Sequence, residues 1–99
     1  MHRRTKALQI SAKVKKIVYE RDGGCCIFCK GRGDPVGHFV SRGQGGRGIE
    51  ENIISVCAEC HRMLDQTTNR AQMKEIAREY LKSKYPDWDE SKLYYNKWE

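Results

Sequence analysis

The residues of this chain that can do chemistry fall within one short stretch. In order they are Cys26, Cys29, His38, Asn52, Cys57, Cys60 and His61. The cysteines form two C-x-x-C hooks, and each hook sets two sulfurs within reach of one tetrahedral ion. Two hooks complete a four-thiolate shell of the kind that suits Zn²⁺. Such a shell has no open position for water, so the ion is expected to hold the fold and do no chemistry. His61 adjoins Cys60 and offers a Cys₃His alternative. Neighbours on a helix point about 100° apart, which disfavours both facing one ion. Cys25 could replace Cys26 as ligand, but the two-residue spacing to Cys29 favours Cys26 and leaves Cys25 a spare thiol.

His38, Asn52 and His61 exceed what a structural ion requires. Taken singly, each has a bland reading: a packed strand histidine, a turn asparagine and a helix-surface histidine. Their joint order around the hooks is what matters. An imidazole can take a proton near neutral pH, which suits activation of a water molecule.

These groups need elements to position them. Ser11 can cap a helix running to about Arg21, with Val14, Ile17 and Val18 on one face. Asp22-Gly23-Gly24 ends it and opens the first hook. Residues 30–35 are turn-rich, and residues 36–40 are a short strand carrying His38. Residues 41–48 hold four glycines in eight positions, so they are expected as a loop. Its Arg42 and Arg47, with Lys30, can approach phosphates, although a mobile hairpin loop is equally in keeping with the composition. Residues 53–56 form the second strand. A helix from Cys57 to about Gln66 then sets His61 and Asp65 four apart on one face.

Asn69, with Gln72 in the capping-box position, opens the next helix. Met73, Ile76, Ala77, Tyr80 and Leu81 form its apolar stripe, and Pro86 ends it. Asp87 with Glu90 can open a last short helix, where Tyr94, Tyr95 and Trp98 are expected to pack rather than to stack on bases. The fold class is therefore α+β: a small zinc-stabilised two-strand-and-helix core with an N-terminal helix and two C-terminal helices. The 99 residues make one domain, with residues 1–10 a flexible basic arm, 21–66 the zinc-bound core and 69–99 the C-terminal helices.

Composition bounds the class further. The net charge is +6 over the chain, unevenly spread. Residues 1–48 carry 11 basic and 3 acidic side chains, and residues 49–99 carry 8 basic and 10 acidic. Four zinc-bound thiolates would lower the net charge by about two. A basic N-terminal half suits a polyanion, although charge alone does not separate that from ordinary solubility. No apolar run could span a membrane, and five cysteines in close pairs suit metal in a reducing cytoplasm better than disulfides.

Strand, His38, loop, Asn52, strand, helix and His61 together resemble the ββα-metal site of the HNH endonuclease family. The pattern runs from Arg21-Asp22-Gly23-Gly24 through Cys26-x-x-Cys29 and Val36-Gly37-His38-Phe39. It continues through Gly45-Gly46 and Glu51-Asn52-Ile53 to Cys57-x-x-Cys60-His61-Arg62. It covers roughly two-fifths of the chain, and residues 37–43 also look like phage-type members and recombination-associated nucleases. The resemblance implies metal-dependent DNA cleavage, nicking or double-stranded, leaving 5′-phosphate and 3′-hydroxyl ends. It implies His38 as general base, Asn52 as the residue that holds strand and loop, and His61 as a ligand of a catalytic Mg²⁺, Mn²⁺ or other divalent ion in a bacterial or phage-infected cell. Family members usually carry Asp or His where this chain has Gly37. Asp65 is the expected substitute ligand and Asp34 a weaker one. DNA is the expected partner, contacted mostly at phosphates, and a larger phage or host protein partner is left open. A non-catalytic zinc module that binds nucleic acid or protein is the rival reading, kept alive by Gly37.

Overall fold

The computed structural model of the chain describes residues 7–66 and 68–95. The first six residues of the expected basic arm, and Trp98, lie outside them. Helix α1 spans Ala12–Asp22, capped by Ser11, whose Oγ accepts from the Val14 N–H at 3.1 Å. It ends at Gly23 in the left-handed region, φ 65°, where the cap N–H returns to the last turn. The helix buries Val18 and packs on the sheet.

The sheet has two antiparallel strands, β1 (Asp34–His38) and β2 (Ile53–Val56), in the register His38↔Ile53 and Asp34↔Val56. β2 matches the sequence expectation, and all four of its residues are buried. β1 begins and ends two residues earlier than expected. Pro35 sits inside it, beside a register shift between Pro35 and Gly37. A bulge accommodates the missing proline N–H. Beyond His38 the ladder is taken over by Asn52: the Phe39 N–H donates to its carbonyl at 2.8 Å and the Val40 N–H to its side-chain Oδ1 at 2.7 Å.

Helix α2 spans Ala58–Gln66 and helix α3 Arg70–Lys84, and the two pack together. Met73, Ala77 and Leu81 of α3 join Phe39, Ile54, Val56, Leu64 and Leu93 in the core. Ile76, expected in that stripe, is 47% exposed. Asn69 adopts helical angles and does not cap α3 through its side chain, so the capping box is not formed. The last turn of helix, Glu90–Leu93, is 3₁₀ and is capped by Asp89, not Asp87; the Asp89 carboxylate accepts from the Ser91 N–H at 3.0 Å. Tyr94 is exposed and Tyr95 half-buried.

A buried ion pair ties these layers. The Asp22 carboxylate, fully buried, accepts two bonds from the Arg21 guanidinium, one from the Tyr80 hydroxyl of α3 and one from the Ser55 N–H of β2. Burial alone would raise its pKa, but the bonds from Arg21 and Tyr80 hold it below the usual carboxylate range. Arg21 also donates to the carbonyls of Glu50 and Ile53, at 2.8 and 2.7 Å.

The glycine-rich segment is a clamped loop. It contains a 3₁₀ turn, Arg42–Gln44. Gly46 pairs with Tyr94, and the Gly48 N–H donates to the Ala7 carbonyl at 3.1 Å. A Cβ on Gly46 would lie 1.7 Å from the Val40 carbonyl oxygen, so only glycine permits that approach. Among the described residues no helix is long and apolar enough to cross a membrane.

Candidate functional site

The two hooks converge. Cys26 and Cys29 lie on the knuckle after α1, where the Cys26 N–H donates to the Gly31 carbonyl at 2.7 Å and the Lys30 N–H returns to Cys26 at 3.0 Å. Lys30 itself has φ 69°, a left-handed conformation rarely adopted outside glycine and asparagine. Cys57 directly follows β2, and Cys60 sits on the first turn of α2, its N–H donating to Cys57 Sγ at 3.4 Å.

The four sulfurs all lie within 4.8 Å of one another, and Cys29 and Cys57 Sγ are 3.8 Å apart. Tetrahedral zinc with bonds of about 2.3 Å would set its sulfurs about 3.8 Å apart, so the residues present fit a metal ion of that kind. Burial pushes the Cys26 thiol up, but N–H bonds from Cys29, Cys57 and Phe28 outweigh it and bring it to about 7. Burial and the neighbouring sulfurs push Cys60 up. A bound cation relieves that crowding by taking all four groups as thiolates. His61 is not in this cluster, which disposes of the Cys₃His variant. Cys25 is exposed and lies outside it, its thiol directed at the Gly23 carbonyl at 3.5 Å.

The second set of residues surrounds an open cleft of about 1010 Å³. His38, at the end of β1, lines it together with His61 and Asp65 of α2. His61 Nε2 and Asp65 Oδ2 are 4.0 Å apart, close enough to flank one divalent ion. Asp34 and Lys30 are exposed elsewhere and do not line the cleft.

His38 is half-buried, and its Nε2 is 3.0 Å from the Leu8 carbonyl oxygen. A carbonyl can only accept, so Nε2 carries the proton and Nδ1 holds the free lone pair. Desolvation lowers the pKa of His38 below 6.5; Arg42 and His61 push the same way, while the Leu8 bond and Asp65 oppose it. The ring is therefore neutral near pH 7.

Asn52 is fully buried. Its Oδ1 accepts from Val40, and its Nδ2 donates to the carbonyls of Val40 and Arg47 at 3.2 and 2.8 Å. It thereby pins the two ends of the glycine loop to each other, one residue pair beyond His38. Arg42 reaches the cleft, whereas Arg47 is half-buried and does not line it.

Gly37 is buried, on the face of β1 opposite the cleft. A Cβ there would meet Ile54 Cγ1 at 3.0 Å and Val56 Cγ2 at 3.2 Å. A carboxylate placed at 37 would enter the core rather than the cleft, so Gly37→Asp is not expected to restore a ligand. Two cationic side chains that the sequence reading did not single out also line the cleft: Lys15 of α1 and Arg70, the first residue of α3. Neither position carries a local signal, because each is one of many charges on a helix face.

No curated protein sequence matches the chain. Residues 23–67, which hold both hooks, His38, Asn52 and His61, match the family model for HNH endonuclease.

Proposed function

We propose that the protein is a metal-dependent DNA endonuclease whose active site is the cleft between β1 and α2. The observation that carries this reading is the placement of a neutral His38 in the same cleft as His61 and Asp65. His38 Nδ1 takes a proton from water, and the resulting hydroxide attacks phosphorus as the bond to the leaving oxygen breaks. His61 and Asp65 would hold the divalent ion, Mg²⁺ or Mn²⁺ among the choices, which supplies Lewis-acid stabilisation of phosphoryl and leaving-oxygen charge. Asn52 keeps the loop closed so that the strand end bearing His38 holds its aim. Lys15, Arg42 and Arg70 ring the cleft with positive charge suited to flanking phosphates. The four cysteines hold Zn²⁺ as a structural ion.

Plasmid cleavage with added Mg²⁺ or Mn²⁺ tests this. His38→Ala should reduce the rate by about 10²–10⁴-fold, the usual worth of a positioned general base. Zinc content and DNA retention on a gel should stay unchanged. Wild-type protein that binds DNA and never cuts it would favour the rival, a non-catalytic zinc module. The core packing of Gly37, which leaves His61 and Asp65 as a sparse ligand pair, is what gives that rival its weight.

A further inference from the structure

The HNH match begins at residue 23, yet one wall of the cleft comes from before it. Gln9, Ile10, Ser11 and Lys15 all line it. Residues 7–10, expected as part of a flexible arm, are packed in place. Leu8 is only 4% exposed. The Ala7 carbonyl accepts from the Gly48 N–H at 3.1 Å, and the Leu8 carbonyl accepts from His38 Nε2 at 3.0 Å. Gly48 lies so close to the segment that a Cβ there would fall 1.9 Å from the Gln9 carbonyl oxygen.

From these contacts we infer that residues 7–10 are a built-in part of the active site, with the Leu8 carbonyl the positioning group that orients the general base. This rests on the nuclease reading of His38. An imidazole on a strand end can turn about its χ2 bond, and a half-turn would put Cδ2 where Nδ1 stood and Cε1 where Nε2 stood. A single acceptor fixed at Nε2 removes that freedom, keeps the proton on Nε2 and leaves Nδ1 as the base. The carbonyl can do this only because the buried Leu8 side chain and the Gly48 contact hold the segment down. Leu8 is thus a positioning residue, and the domain that matches the family is incomplete without it.

The test uses the full chain. In wild-type protein, ¹⁵N-resolved NMR of the imidazoles should show His38 with its proton on Nε2 and slow to exchange with water. Two variants displace the segment from opposite sides. Gly48→Ala collides with the Gln9 carbonyl, and because Gly48 is not a positive-φ residue the alanine brings no backbone strain of its own. Leu8→Glu puts a charge where a buried apolar anchor sat.

Both variants should release the His38 ring proton and lower kcat about a hundredfold, with KM for DNA and zinc content little changed. An unchanged kcat in both would overturn the inference. A loss confined to Gly48→Ala would place the effect in the glycine loop and overturn it too. Should either variant lose zinc, the wild-type ring proton decides: a His38 Nε2 without a protected proton sinks the proposal. If wild-type protein does not cleave at all, the nuclease reading falls, while the ring-proton measurement still judges the contact.

Discussion

The cysteine cluster and the cleft lie at opposite ends of the same strands, and they are built in opposite ways. The cluster draws its four sulfurs from two tight local turns, and all lie within 4.8 Å of one another. The cleft takes His38 from β1, His61 and Asp65 from α2, Lys15 from α1 and Arg70 from α3. Around one ion the cluster's four sulfurs would make a closed shell with no room for a reactant. The cleft is open, and its two candidate ligand atoms stand 4.0 Å apart with space around them. Closed coordination suits a structural ion and open coordination suits a catalytic one. Four ligands should also bind far more tightly than two, so removing each ion should have a different consequence.

The largest effect is expected at the cluster. Structural zinc contributes about 10–16 kcal/mol of apparent binding energy in small zinc-dependent folds, which is folding energy. Cys57→Ser should therefore leave a protein without zinc and without a cooperative melt. Metal analysis beside circular dichroism checks this, and a cooperative unfolding transition at the wild-type temperature in that variant would remove the structural role.

At the cleft, by contrast, removing a ligand should spare the fold. Asp65 is exposed on α2, and its carboxylate approaches His61 across one helical turn. Asp65→Ala should raise the divalent-ion concentration for half-maximal cleavage by about 10–100-fold, with thermal stability within about 0.5 kcal/mol of wild type. Mn²⁺ should outperform Mg²⁺ at low concentration, because imidazole suits transition metals better. An unchanged metal titration would move the second ligand off Asp65, and the DNA phosphate would become the better choice.

The contrast also appears in what the sequence made legible. The hooks are local, and C-x-x-C spacing carries their geometry on its face. β2, the Ser11 cap and the i, i+4 pairing of His61 with Asp65 are local as well, and each matches expectation. Misplaced features depend on tertiary partners. β1 is shifted because its bulge at Pro35 is set by pairing with β2. Asn69 looks like a cap in sequence, yet the turn between α2 and α3 puts it in helical angles. Ile76 fits a helical stripe, but α3 faces solvent there. Arg47 and Arg42 are five apart in a loop that reads as uniform, and only Arg42 reaches the cleft. The contribution of residues 7–15 could not be read at all, since nothing local links Leu8 to a histidine thirty residues on.

A smaller effect separates the regions by pH. On the proposed mechanism His38 is the cleft's base, and its pKa is lowered from 6.5, chiefly by desolvation, with Arg42 and His61 adding to the shift. Protonation removes the lone pair on Nδ1, so kcat/KM should fall on the acid side, about tenfold per pH unit, with a midpoint below 6.5. A cation held at His61 and Asp65 would push the midpoint lower still, because it disfavours the imidazolium. A pH–rate profile from pH 5 to 8 at saturating metal reads this directly. A midpoint above the ordinary histidine value would mean that a group other than His38 takes the proton.

The smallest effect is expected at the residue next to one of the cluster's own cysteines. Cys25 and Cys26 are adjacent and chemically identical, yet the fold sends them different ways. Cys26 is buried in the cluster, with N–H groups of the knuckle directed at its sulfur. Cys25 is exposed, sits in an isolated bridge with Arg32 and turns its thiol toward the Gly23 carbonyl. Adjacent residues in extended backbone point to opposite sides, so one sulfur entering the shell excludes the other. Cys25→Ser should keep one zinc per chain, the melting temperature and the cleavage rate, all within error of wild type. Cys26→Ser should lose zinc. The reverse pattern, zinc lost in Cys25→Ser and kept in Cys26→Ser, would show that the knuckle binds in the other register. The local spacing that makes the cluster so legible would then have pointed to the wrong sulfur.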